Sequence, residues 1–213
     1  MRGAFITFEG VEGVGKSTLI EFAAAHLEST GRIVLRTREP GGTPLAEAIR
    51  SLLIGECREG MHADTELLLM FAARNQHLET RIRPALDENR WVLSDRFNDA
   101  SYAYQGGGRG IDMERIRFLE CFVQRGLQPD LTFLLDAPLE IGMRRAAMRQ
   151  RKADRFESEA MFFFERVRNV YLERASLEPQ RFRLIDASQS LEAVQAEVRK
   201  KLDEFIAYWE ELK

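Results

Sequence analysis

Near the amino end, Gly10-Val11-Glu12-Gly13-Val14-Gly15-Lys16-Ser17 brings three glycines, a lysine and a hydroxyl together at the spacing of a phosphate-binding loop. Glycines let the backbone turn several N–H groups toward one anion, and a helix opening at the end of the loop adds its partial positive charge. In such a loop Lys16 reaches the β- and γ-phosphates of a nucleoside triphosphate, and the Ser17 hydroxyl coordinates the magnesium ion that bridges them. Thr18 closes the set as a residue of the helix. A chance match to this pattern in a chain of average composition is about one in a hundred or less. The pattern specifies a nucleotide and leaves open whether the protein is a kinase, a switch or a motor.

Two further stretches carry basic groups, hydroxyls and an amide suited to a small phosphorylated molecule. One is Arg38-Glu39-Pro40-Gly41-Gly42-Thr43; the other starts at Asp95-Arg96-Phe97 and runs through Ser101, Tyr104 and Gln105 to Arg109. Asp95, at a strand end beside the phosphate loop, is placed to work near magnesium, with a purely structural acid as the other reading. Arg74 shares an apolar helical face with Leu67, Phe71, Leu78 and Ile82, so its cation needs a partner. That partner is a ligand or an internal acid, Glu39 or Asp95. The basic run Arg144, Arg145, Arg149, Arg151, Lys152 and Arg155 repels itself unless an anion arrives. Arg144 and Arg145 suit a solvated helix face, whereas Arg149, Arg151 and Arg155 suit a mobile lid, at about 144–157, that closes over ATP. His26, His62 and His77 read as surface or packing residues. Cys57 and Cys121, isolated and without metal-ligand spacing, read as reduced, mostly buried thiols.

These residues need a scaffold, and the chain supplies one in alternation. Apolar runs of strand length recur at Ala4 to Phe8, Ile33 to Thr37, Trp91 to Ser94, Leu131 to Leu135 and Phe182 to Ile185, separated by stretches of helical period. The alternation predicts an α/β fold with a parallel sheet covered on both faces and ligands at the carboxyl ends of its strands. The first helix ends near Gly31, and Leu191, Val194, Val198, Leu202, Phe205, Trp209 and Leu212 form a stripe on the last one. With 213 residues, 45% apolar and 31% charged, a single domain spanning 1–213 is expected. A net charge of −3 and the lack, outside the basic run at 144–157, of a basic stripe interleaved with aromatics argue against nucleic-acid binding. No apolar run is long enough to span a membrane, so a cytoplasmic protein is expected.

The Arg38-to-Thr43 stretch, the Asp95-Arg96-Phe97 element, and Ala103-Tyr104-Gln105-Gly106 with Arg109 resemble the signatures of bacterial thymidylate kinases in order and spacing, from about Ala4 to Leu172. The resemblance implies the P-loop nucleoside monophosphate kinase fold, a five-stranded parallel sheet flanked by helices, and transfer of phosphate from Mg-ATP to dTMP by a homodimer. It implies that Gly10 to Thr18 hold ATP and that Ser17 and Asp95 serve the Mg²⁺. Arg74 and Gln105 would hydrogen-bond the thymine, with Glu39, Pro40 and Arg50 near its pocket, and Arg38, Arg96 and Ser101 would hold the dTMP phosphate or its surroundings. Tyr104 would crowd the ribose 2′ position. The family usually places an aromatic residue four positions before this arginine; Met70 stands there, so Phe71 is the expected stacker on thymine, with a core role as its alternative. Catalysis would draw on Lys16, Arg96 and an arginine of the lid (Arg149, Arg151 or Arg155), which Glu12 would help to position. A regulatory GTPase is disfavoured because no Asn-Lys-x-Asp segment occurs. Another nucleoside monophosphate kinase, or a deoxynucleoside kinase with Glu39 as base, is the competing reading.

Overall fold

Five short strands form one parallel sheet in the computed structural model, which describes residues 2–55, 59–147 and 157–211. They are β1 (Phe5–Glu9), β2 (Val34–Arg38), β3 (Trp91–Asp95), β4 (Leu131–Asp136) and β5 (Phe182–Asp186), in the order β2-β3-β1-β4-β5. All four ladders are parallel, and each strand falls within one residue of its sequence expectation. The central strands are buried on both faces, in keeping with their predominantly apolar sequences, while the edge strand β2 (Val34-Leu35-Arg36-Thr37-Arg38) is half-buried and carries its arginines outward. Side chains alternate across the sheet, so Ile6 and Phe8 enter one core cluster and Phe5 the other.

The first cluster is built around α1 (Lys16–Ser29) and α9 (Leu191–Glu211), the second around α3 (Ala63–His77), α4 (Arg83–Asp87) and α6 (Met113–Gln124). Gly31, at φ 84°, lies just past α1, and Val194, Val198, Leu202 and Phe205 of α9 are buried as the stripe requires. Leu191 at the start of that helix is exposed, and Leu212 lies outside the described residues. The remaining helices are α2 (Pro44–Ile54), capped by the Thr43 hydroxyl, the single-turn α5 (Asn98–Ser101), α7 (Leu139–Ala147) and α8 (Glu157–Leu177). α3 runs on through a π-helical turn, Leu78–Ile82, and a second one, Tyr102–Gly108, follows α5.

Because β1 is central, the chain leaves it for β2 and β3 on one side and reaches β4 and β5 on the other. A crevice therefore opens at the carboxyl ends of β1 and its neighbours, where the phosphate loop, the Arg38 stretch and the Asp95 turn all lie. The three glycines of the Tyr102–Gly108 turn answer a packing need: a Cβ on Gly108 would stand 2.4 Å from the Phe163 ring, and one on Gly107 2.9 Å from Arg166 O. Arg166 of α8 donates to Gly107 O and Gly108 O at 3.0 and 2.8 Å, so α8 is seated directly on that turn. Among the described residues no helix is long and apolar enough to cross a membrane.

Candidate active site

The cradle after β1 has Gly10, Gly13 and Gly15 at φ 131°, 81° and 98°, conformations a side chain would strain. Gly13 is also a contact point, because a Cβ there would stand 2.0 Å from Gly142 O, so the loop and α7 pack backbone against backbone. Lys16 is buried and curls back over the loop, Nζ donating to Gly10 O at 2.9 Å and Val11 O at 2.8 Å. Burial, reinforced by the Arg96 charge, lowers its pKa to about 7. Glu12, Ser17 and Thr18 are exposed and Val11 and Val14 are packed inward. Ser17 Oγ donates to Asp95 Oδ2 at 3.3 Å, and Asp95 Oδ1 is buried without a partner. A hydroxyl and a carboxylate with an uncommitted oxygen, beside a phosphate cradle, fit the few protein ligands that Mg²⁺ takes while keeping waters and phosphate oxygens. Among the described residues there is no cluster of three or more His, Cys, Asp or Glu that would suggest a different metal.

Beside the cradle, a cavity of about 400 Å³ is lined by Val14, Gly15, Thr18, Arg145, Ala187 and Gln189. Arg145 corrects its sequence reading. Instead of facing solvent with Arg144, it folds inward and donates to Ala187 O at 3.0 Å, because α7 is drawn against the loop at Gly142. Arg149, Arg151 and Arg155 lie outside the described residues.

The acceptor side is made of buried charge. Arg74, 1% exposed, donates from Nε to Glu39 Oε2 at 2.7 Å, from Nη1 to Asn98 Oδ1 at 3.1 Å, and from Nη2 to Phe97 O and Ser101 Oγ, both at 3.0 Å. Glu39 rather than Asp95 is its acid. The other Glu39 oxygen accepts from His77 Nδ1 at 3.0 Å, and His77 Nε2 is 2.6 Å from Thr37 Oγ1, so His77 is a packing residue inside this network. Burial raises the Glu39 pKa, but the Arg74 charge and the His77 hydrogen bond outweigh it and hold the carboxyl below its ordinary value. Phe71 is 2% exposed in the core, with the Arg74 guanidinium 4.6 Å from its ring centroid; Met70 beside it is half-buried.

Arg96 sits at φ 69° and donates from Nη2 to Tyr104 Oη at 3.0 Å, its guanidinium 5.2 Å from the ring. Gln105 Nε2 donates to Glu66 Oε1 at 2.9 Å, and Arg109 also pairs with Glu66. Three polar atoms in this region are buried without partners: Arg96 Nε, Asn98 Nδ2 and Gln105 Oε1. Arg38 pairs with Glu47 at 2.9 Å, Glu47 accepts from Gly42 N at 2.9 Å, and Arg50 donates to Pro40 O at 2.8 Å. Arg38 lines an open cleft of about 580 Å³ together with Ser17, Thr37, Arg81 and Asp95, joining the acceptor side to the magnesium candidates. Glu9, Glu66, Asn98 and Gln189 were not singled out from the sequence. Glu9 and Asn98 could have been, since each directly flanks a recognised motif. Of the remaining sequence readings, His26 pairs with Asp203, His62 caps α3, and Cys121 is exposed on α6 instead of buried, while Cys57 lies outside the described residues.

A parallel sheet with an anion cradle behind its middle strand, and an acid and an arginine at the tip of the adjoining strand, defines a P-loop nucleotide-binding protein of the nucleoside monophosphate kinase fold. A family model described as thymidylate kinase matches residues 8–198. Thymidylate kinase of Pseudomonas syringae pv. tomato is 60% identical over 206 residues, covering 97% of this chain and 98% of its own. That of Chromohalobacter salexigens is 57% identical over 208 residues, with the same coverage of 97% and 98%. The crystal structure of thymidylate kinase from Ehrlichia chaffeensis aligns with a TM-score of 0.77 at 33% identity, over 95% of this chain and 99% of that one. The chain belongs to the thymidylate kinase family.

Proposed function

We propose that the chain transfers the γ-phosphoryl group of ATP to dTMP, giving ADP and dTDP on the route to dTTP, from a site that Arg38, Arg96, Lys16, Ser17 and Asp95 share. The observation that carries this reading is the meeting of the two motifs: Ser17 of the cradle touches Asp95, whose neighbour is Arg96. The attacking atom is a phosphate oxygen of dTMP, already ionised at neutral pH, so no general base is needed. The P–O bond to the β–γ bridging oxygen breaks as the new P–O bond forms. The protein's task is to hold donor and acceptor in line and to neutralise charge on the moving group. Lys16 turns from the loop carbonyls to the β- and γ-phosphates, and Arg96 with Arg38 holds the acceptor phosphate. Ser17 and Asp95 would hold Mg²⁺, which supplies charge neutralisation across the phosphates when bound.

The partnerless Asn98 Nδ2, beside Arg74, and the partnerless Gln105 Oε1 supply a donor and an acceptor of the kind a thymine edge can use. Tyr104 crowds the ribose 2′ position. The cavity bounded by Arg145, Ala187 and Gln189 takes the adenosine end of ATP. One of Arg149, Arg151 and Arg155 neutralises the transferred group from a lid, assisted by Glu12. Leu68, Phe118 and Phe122, exposed on α3 and α6, support a homodimer formed through those helices. The enzyme acts in the cytoplasm as one domain.

Purified protein with magnesium and ATP is expected to convert dTMP to dTDP, with slower turnover of dUMP. One methyl group in a fitted pocket is worth only about 1 to 3 kcal/mol. Phosphorylation of thymidine in preference to dTMP would replace this reading with a deoxynucleoside kinase. Against that alternative, Glu39, the base it would use, is buried with both oxygens engaged.

A further inference from the structure

We infer that Glu9 is a positioning residue for Arg96, fixing the backbone from which that guanidinium projects and tying it to α8 through Tyr171. The inference rests on the proposed role of Arg96 at the acceptor phosphate. A φ of 69° is one that a residue bearing a Cβ keeps only when its surroundings hold it there. Three hydrogen bonds do so: Arg96 N to Phe8 O at 3.0 Å, Ser94 Oγ to Arg96 O at 2.7 Å, and Phe97 N to Glu9 Oε1 at 2.7 Å. Of these, Glu9 makes the only one in which a side chain reaches across from another strand. It can do so because Phe8 pairs with Asp95 in the β1–β3 register, which brings the next residue of β1 alongside the turn.

The second Glu9 oxygen accepts from Tyr171 Oη at 2.8 Å. Tyr171 comes from α8, is 1% exposed, and meets the Tyr104 ring edge-on with centroids 6.4 Å apart. Tyr104 in turn accepts from Arg96 Nη2. α8 thus bears on Arg96 twice, on its backbone through Glu9 and on its guanidinium through Tyr104. Both Glu9 oxygens are spent on this arrangement, so a carboxylate directly before the phosphate loop serves the acceptor arm rather than the loop. Burial, with Asp99 nearby, raises the Glu9 pKa to about 7, so a neutral amide of the same shape is a fair substitute.

The test is steady-state kinetics on Glu9→Ala, Glu9→Gln, Tyr171→Phe, Arg96→Ala and the double variant Glu9→Ala/Arg96→Ala, with amide hydrogen exchange at Phe97 as a readout that needs no substrate. Misplacing a reacting group by about 1 Å can cost up to about 100-fold. Glu9→Ala should therefore raise the dTMP KM about tenfold or more while leaving the ATP KM within about twofold, and should speed exchange at Phe97. Glu9→Gln, which keeps an acceptor for Phe97 N, should stay within about threefold of the parent, and Tyr171→Phe should raise the dTMP KM by a similar small factor. In the Arg96→Ala background the Glu9→Ala change should add little, because the two act as a unit. Equal losses in Glu9→Ala and Glu9→Gln, a rise in both Michaelis constants, an unchanged dTMP KM in Tyr171→Phe, or full additivity with Arg96→Ala overturns the inference. A parent protein that makes no dTDP but whose Phe97 exchange still responds to Glu9→Ala overturns the function and leaves the clamp standing.

Discussion

The donor and acceptor halves of this site are built from different materials. The phosphate cradle is a turn of backbone with one buried lysine folded back on its carbonyls, and the glycines that shape it lie within a few residues of one another. Across the crevice the groups are side chains from three separate segments, Glu39 after β2, Arg74 and His77 of α3, and Asn98 with Ser101 of α5, locked to one another away from water. The first half is a local conformation, which tolerates loss of a side chain without unfolding. The second is a buried network in which removing one charge strands another, so the acceptor recognition proposed for it is coupled to stability.

The largest expected effect lies in the second half. Arg74→Met leaves Glu39 buried with its main cation gone, and breaking such a pair costs about 3 to 5 kcal/mol. For a chain of this length that lowers Tm by roughly 6 to 20 °C, measurable by circular dichroism. Glu39→Gln in the same chain should restore more than half of the loss by removing the stranded charge. A single variant that melts with the parent would show that the pair carries no net stability. The sign with pH follows from the depressed carboxyl: the stability supplied by Glu39 is complete above its ordinary range and is lost as pH falls through the lowered pKa.

In the first half the order of effects reverses. Lys16→Ala should lower kcat about 100- to 1,000-fold, the scale for losing one preorganised electrostatic donor, while Tm stays close to the parent or rises, because a desolvated ammonium has been removed. A large fall in both would mean that the cradle is as cooperative as the acceptor network, and the contrast between the halves would disappear. Asp95→Asn belongs between the two. It should raise the magnesium concentration for half-maximal activity about tenfold with little change in the dTMP KM, and the reverse pattern would move Asp95 from the metal to the acceptor.

The same division explains what could be read from the chain. The cradle and the five strands are short-range patterns, glycine spacing and apolar runs, and they lie where the sequence placed them. Arg74 was readable as a cation in need of a partner, because helical spacing exposes the anomaly, but the choice of Glu39 over Asp95 depends on how α3 docks against the end of β2. Phe71 and Tyr104 show the same limit. Both are aromatic residues near the pocket, yet one is closed into the core under Arg74 and the other stands against Arg96, a difference set by packing and not by residue type. Arg145 was misread because its inward turn follows from the contact of Gly13 with Gly142, two residues far apart in the chain.

The smallest expected effect separates the halves by proton count. A lysine held near pKa 7 in the free protein must be charged to bind a triphosphate, and the polyanion raises its pKa well above that. Binding of Mg-ATP at pH 8 should therefore take up close to one proton, and at pH 6 almost none. Calorimetry in buffers of different ionisation enthalpy measures that uptake directly. If the bound pKa is high, apparent affinity should weaken about fivefold between pH 7 and pH 8, and Lys16→Arg, charged throughout, should abolish both the uptake and the slope. Folding stability moves the opposite way: because the folded state holds this proton less tightly than the unfolded chain, the Lys16 contribution makes stability rise with pH from about 7 to 10.5. An ATP affinity that ignores pH while dTMP affinity follows it would place the titrating group on the acceptor side, and the lysine would then be charged already in the free cradle.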